Sequence, residues 1–237
     1  MMNPVTMKEM RLIDDKAEKH FGIELPQMLE NAGRNAAFFT REAIGKISKK
    51  NVCIICGNGN KGAAGLVAAR FLHNWGAKVT VIMASHPDEL KKWTRWYAGT
   101  LKSIYVDALY TTNHFAFGDI MRKTDIIVDA LLGYNISRSP EGFYKTLIEM
   151  ANSSEKKILS IDTPSGMDPN TGDILGTCIK AKWTMMITAP KKGLLEKKAR
   201  DYTGTLYLCD IGVPPEVFEL LGIKYDSPFA KNEIVKM

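Results

Sequence analysis

A short apolar run, Val52-Cys53-Ile54-Ile55-Cys56, leads directly into Gly57-Asn58-Gly59-Asn60-Lys61-Gly62-Ala63-Ala64-Gly65 and then into Leu66-Val67-Ala68-Ala69-Arg70-Phe71-Leu72. This order reads as a buried strand, a glycine-rich turn and an amphipathic helix. Glycines let backbone N–H groups approach a ligand with no Cβ in the way. The helix that follows aims its positive end at the same spot, which suits a phosphate. Gly57, Gly59 and Gly62 fit the spacing G-x-G-x-x-G, but one such match is weak evidence. A tight strand–helix turn without a ligand satisfies the same pattern. No Walker-type run G-x-x-x-x-G-K-[ST] is present.

The chain has 237 residues, of which 45% are apolar, enough for one large α/β domain with a sizeable core. No apolar run approaches the ~20 residues of a membrane span, and Met1 to Arg11 lacks the apolar stretch of a secretory signal. A soluble cytoplasmic protein is therefore expected. Net charge is +6, spread over pairs such as Lys49-Lys50 and Lys197-Lys198. No aromatic–basic interleaving accompanies it, so nucleic acid is not the expected partner. Cys53 and Cys56 have C-x-x-C spacing, but positions i and i+3 of a strand face opposite ways. They read as core residues and not as a metal or redox pair.

Two helices open the chain. One covers Thr6 to His20, with Thr6 and Glu9 as a capping box. The other runs from about Pro26 to Ile44. Strands are then expected at 51–56, 78–83, 102–106, 125–129, 157–161, 183–188 and 205–209. Helices are expected at 64–75, 88–97, 115–122, 144–152 and 215–221. This alternation predicts a doubly wound, mostly parallel sheet with helices on both faces, in a single domain over residues 1–237.

Three further strand ends carry candidate chemistry, since ligands sit beyond the carboxyl ends of parallel strands. Asp129 ends one apolar strand, and the loop Gly133 to Ser139 follows. Its hydroxyls and Arg138 suit phosphate, while Asp129 equally suits a simple cap. Asp162 ends another strand, before the rigid turn Pro164-Ser165-Gly166. Two carboxylates at such ends can share one crevice, one moving a proton and the other holding a cation. The third end is Thr188-Ala189-Pro190-Lys191-Lys192, whose lysines suit an anionic ligand or plain surface, with surface the expectation.

At these residues the sequence resembles the YjeF N-terminal-domain family, the NAD(P)H-hydrate epimerases. The likeness spans Met10–Asp14, Met28–Arg34, the glycine turn, Val128–Gly133, Ile161–Gly166, Ala189–Lys191 and Asp210–Pro214. It implies a Rossmann-like three-layer α/β/α sandwich with two additional N-terminal helices. It also implies interconversion of the R and S forms of hydrated NADH or NADPH, which carry a hydroxyl at C6 of the ring. Asp162 would be the catalytic carboxylate. Substrate contacts would come from Asn60, Lys61, Gly62, Ala63 and Ala64, and from Gly133, Tyr134, Asn135, Ile136, Ser137, Arg138 and Ser139. The family holds a potassium ion with the second Asn of an N-N pair, the Asp of V-D-A and the Ser of P-S-G. Those positions are Lys61, Asp129 and Ser165 here. An ammonium has no acceptor for a cation, so Lys61 is expected either to occupy the potassium position itself or to point into solvent. Ala64 likewise replaces a family Asp. A homodimer and a separate dehydratase are the implied partners. The alternative function is a catalytically degenerate nucleotide-binding or scaffold member of the same family.

Overall fold

The computed structural model of the chain describes residues 2–106, 108–110 and 115–237. Helix α1 (Met7–Lys19) starts at Thr6, whose hydroxyl accepts from the Glu9 N–H while the Glu9 carboxylate accepts from the Thr6 N–H at 2.7 Å. Helix α2 (Leu25–Ile44) has Pro26 in its first turn. Then follow β1 (Asn51–Cys56), α3 (Asn60–Asn74), β2 (Lys78–Met83), α4 (Lys92–Ser103), β3 (Ala108–Leu109), α5 (Phe115–Lys123) and β4 (Ile126–Ala130). The second half comprises α6 (Gly142–Ser153), β5 (Ile158–Ile161), β6 (Trp183–Ile187), α7 (Arg200–Thr203), β7 (Thr205–Cys209), α8 (Pro215–Leu220) and β8 (Ile234–Lys236).

The sheet runs β3-β2-β1-β4-β5-β6-β7-β8, with only β8 antiparallel to its neighbour. β-branched and sulfur side chains fill β1, and its two faces feed two separate cores. Val52, Ile54 and Cys56 pack with α1, α2, α3 and α8, while Cys53 and Ile55 pack with α5 and α6. The C-x-x-C pair is thus split across the sheet, as its spacing requires. The four cysteines are free and buried. Burial pushes the Cys53 and Cys209 thiols up to about 12, which keeps them out of thiolate chemistry.

Three expectations need correction. The segment 102–106 is not a strand: α4 continues to Ser103, because Trp93, Tyr97 and Leu101 form a helical stripe, and β3 follows with two residues. Helix α4 also begins at Lys92, after a single 3₁₀ turn at Pro87–Glu89. Helix α3 begins at Asn60, so the Asn60–Ala64 stretch forms its first turn and the true turn is Gly57-Asn58-Gly59. Strand order reverses between β1 and β4, and a crevice opens there beyond the strand ends.

Candidate active site

The glycine turn and the loop after β4 meet at this crevice. A Cβ on Gly57 would lie 2.0 Å from the Leu131 carbonyl oxygen, and one on Gly62 would lie 1.9 Å from that of Gly57. At Gly65 it would meet the Ala130 Cβ at 2.5 Å, so α3 lies directly on β4. Gly59 differs, because a Cβ there meets nothing within 4 Å and the residue lines a cavity. Gly62 therefore serves turn packing and Gly59 serves access. Gly62→Ala is expected to lower the urea unfolding midpoint through an overpacking cost of about 1–3 kcal/mol. Gly59→Ala should leave that midpoint unchanged yet weaken ADP-ribose binding measured by calorimetry.

The cavity measures about 300 Å³. That is at the lower end of small-molecule sites, which run from roughly 300 to 1,000 Å³. Met10, Met28, Leu29 and Ile211 give it an apolar wall, and Asp14, Asp162, Thr188 and Lys191 give it polar groups. The N-terminal helices reach it because Val5 pairs with the loop after β6, with the Val5 N–H on the Pro190 carbonyl at 2.8 Å and the Lys192 N–H on the Val5 carbonyl at 3.1 Å. Asn31 and Asn35, one turn apart on α2, donate to the Ile211 and Asp210 carbonyls at 2.9 and 2.7 Å.

Asp162 follows β5 with φ of 66°, and Thr188 follows β6 with φ of 67°. Such backbone costs of order 1–3 kcal/mol per residue and clusters at functional sites. It is most costly for a β-branched residue such as Thr188. The Ile187 N–H donates to Asp162 Oδ1 at 3.2 Å, and the Lys191 ammonium pairs with the same oxygen. Lys191 also donates to the Ile187 carbonyl at 2.5 Å. With 1% exposure it is a buried member of the site, which corrects the surface expectation for it. The apolar strand end folds it inward onto a carboxylate. The Thr188 hydroxyl is buried on the cavity wall with no hydrogen-bond partner among the described residues.

Asp14, on α1, faces the same cavity and accepts a hydrogen bond from the Tyr134 hydroxyl. Burial raises its carboxyl to about 6; the Tyr134 bond and Lys191 oppose the rise, and Asp162 and Glu18 add to it. The same burial, with Asp14 alongside, pushes the Tyr134 phenol far above its ordinary value. Arg11 Nε donates to Asn135 Oδ1 at 2.7 Å, so two bonds fasten the loop after β4 to α1.

Behind the cavity, Lys61 turns inward from the first turn of α3. Its ammonium lies 3.0 Å from Asp129 Oδ2, 3.0 Å from Ser165 Oγ, 2.7 Å from the Thr163 carbonyl oxygen and 3.1 Å from that of Leu132. Asp129 is fully buried, and β5 places Ser160 beside it in register. Besides Lys61, its carboxylate accepts from the Ser160 hydroxyl at 2.8 Å, the Ser165 hydroxyl at 2.5 Å, the Ser165 N–H at 2.9 Å and the Leu131 N–H at 3.1 Å. Of the expected contact residues, Asn60, Lys61, Ala64, Gly133, Tyr134, Asn135, Ile136 and Asp162 line the cavity. Gly62 and Ala63 are packed beneath it, while Ser137, Arg138 and Ser139 are exposed and outside its lining. Exposed Lys91 is part of that lining. Among the described residues no cluster of three or more His, Cys, Asp or Glu side chains could hold a metal, and no helix is long and apolar enough to cross a membrane.

The family described as YjeF-related protein N-terminus matches residues 25–193. An NAD(P)H-hydrate epimerase of Lentilactobacillus buchneri is 35% identical over 90% of this chain and 96% of its own length. One from Dehalogenimonas lykanthroporepellens is 34% identical over 100% of the chain and 93% of its own. A bifunctional NAD(P)H-hydrate repair enzyme of Thermofilum pendens is 32% identical over 95% of the chain, which covers 43% of that longer protein. The solved structure of the yeast protein ynu0 (YNL200c) superposes with a TM-score of 0.86 at 23% identity and covers 100% of both chains, a likeness of fold.

Proposed function

The chain belongs to the family of YjeF-related protein N-termini, and we propose that it is an NAD(P)H-hydrate epimerase, interconverting the R and S forms of hydrated NADH and NADPH. One observation carries the reading: two carboxyl groups, Asp162 and Asp14, face one cavity at the switch point of the sheet in different electrostatic settings. Environments that separate two titratable groups mark an acid and a base.

The carbon to be inverted bears a hydroxyl and is bonded to the ring nitrogen. Inversion breaks the C–O bond as the nitrogen lone pair forms a C=N double bond, and the departing oxygen takes a proton to leave as water. Water then adds to the opposite face, gives up a proton and restores the C–N single bond. Asp14, neutral below about pH 6, supplies the first proton. Asp162, ion-paired with Lys191, takes the second. The unpartnered Thr188 hydroxyl positions the hydrated ring. The pyrophosphate lies over Gly59 and Asn60 at the α3 N-terminus, with Lys91 at the mouth.

Because the acid form of Asp14 is lost above about 6, the rate should fall as pH rises through that value. The groups facing it are Tyr134, Lys191, Asp162 and Glu18. Asp14→Asn should erase this limb and lower the rate by roughly 10²–10⁴-fold, the range of general acid catalysis. The pH–rate profile of parent and variant checks it. The function itself is tested by supplying R-form hydrate and coupling to an S-specific dehydratase, where added protein should remove the lag in turnover. The same reading puts the protein in the cytoplasm, as a homodimer, beside a separate dehydratase that consumes one epimer. Light scattering on the eluted protein checks the dimer.

A further inference from the structure

The resemblance sets a potassium ion among positions 61, 129 and 165, and the residues present do not fit one. The Lys61 ammonium already sits within hydrogen-bond distance of four oxygens: Asp129 Oδ2, Ser165 Oγ and the Thr163 and Leu132 carbonyls. A second cation in that cage would face a like charge, and the ammonium offers no lone pair to bind it.

We propose that Lys61 is a tethered cation that permanently fills a monovalent-cation site, so this protein is indifferent to potassium, and that shortening its side chain uncovers a cage able to take potassium from solution. Three features of the cage support this. Two backbone carbonyls and a carboxylate converge on one point, an arrangement that repels itself unless a positive charge stands at the centre. The oxygens come from β4 and from the turns after β4 and β5, and the charge comes from α3, so one cation ties three elements together. Those turns also carry Gly133, Tyr134 and Asp162 on the cavity wall, which Lys61 and Leu132 line as well, so the cage sets the geometry of the site from its edge. Four oxygens around three N–H donors leave the ammonium nothing to offer a substrate. A free ion stabilises a fold only in proportion to its concentration and affinity, whereas a tethered charge acts at any salt composition.

The experiment compares thermal midpoints in potassium chloride and in tetramethylammonium chloride at equal ionic strength. The parent protein is expected to melt at the same temperature in both. Lys61→Asn replaces the ammonium with an amide carbonyl and should melt lower in tetramethylammonium, with a midpoint that rises and saturates as potassium is added. Lys61→Met, which fills the cage with an apolar chain end, should respond to neither salt. A saturable, potassium-specific rise in the parent overturns the proposal, and this arm stands even if the variants do not fold. A folded Lys61→Asn protein blind to potassium, or a Lys61→Met protein that responds to it, also counts against it. Melting needs no substrate, so this inference and the epimerase reading fail independently.

Discussion

Asp162→Asn should slow epimerisation by roughly 10²–10⁴-fold, the range lost with a positioned acid–base group. The amide keeps an oxygen for the Ile187 N–H but cannot take a proton from the returning water. It also removes the negative charge beside Lys191, whose side chain is 1% exposed. Breaking a buried pair from one side typically costs about 3–5 kcal/mol, so the single variant should be less stable as well as slow. Adding Lys191→Met separates the two effects. The double variant should regain much of the stability, read by denaturant melts, and stay slow. A folded Asp162→Asn protein with the parent's rate would remove Asp162 from the chemistry.

The largest loss of stability is expected from Asp129→Asn. This carboxylate accepts from Lys61, Ser160, Ser165 and the Leu131 N–H and is fully buried. Neutralising it strands the Lys61 ammonium among carbonyl and hydroxyl oxygens. The expected cost is about 3–5 kcal/mol, or roughly 6–20 °C in melting temperature for a chain of this size. Combining Asp129→Asn with Lys61→Met should recover part of the loss, because neither charge is then left unpaired. Strictly additive losses in the pair would show that the two side chains do not support each other.

What the sequence revealed, and what it hid, follows from the range of the forces involved. The glycine turn, Asp129, Asp162 and the Pro164-Ser165-Gly166 turn sit at strand ends, where hydrophobic run, breaker and polar residue succeed one another within a few positions. Such local order is readable. Lys61 was legible as an anomaly, an ammonium at a position otherwise filled by a cation's ligand. Its inward course depends on Asp129 and Thr163, which lie 68 and 102 residues away in the chain. The burial of Lys191 is hidden for a similar reason: nothing near it in sequence announces Asp162 as a partner. Asp14 stands one residue past the apolar stripe position Ile13 and looks like an ordinary helix surface residue. The Val5 bridge and Tyr134 bring it to the cavity, and both are tertiary contacts. The strand expected at 102–106 lost to the stripe of Trp93, Tyr97 and Leu101 on α4. The three-residue β8 was too short to leave a pattern of its own.

On the proposed function, this cavity inverts the hydroxyl-bearing carbon of a hydrated nicotinamide cofactor. The most direct measurement incubates pure R-form NADH hydrate with the purified protein and follows both epimers by chiral separation. The R/S mixture should be approached far faster than in buffer, and roughly 10²–10⁴-fold more slowly with the Asp162→Asn protein. Conversion no faster than in buffer, by folded protein that binds the hydrate, would contradict it.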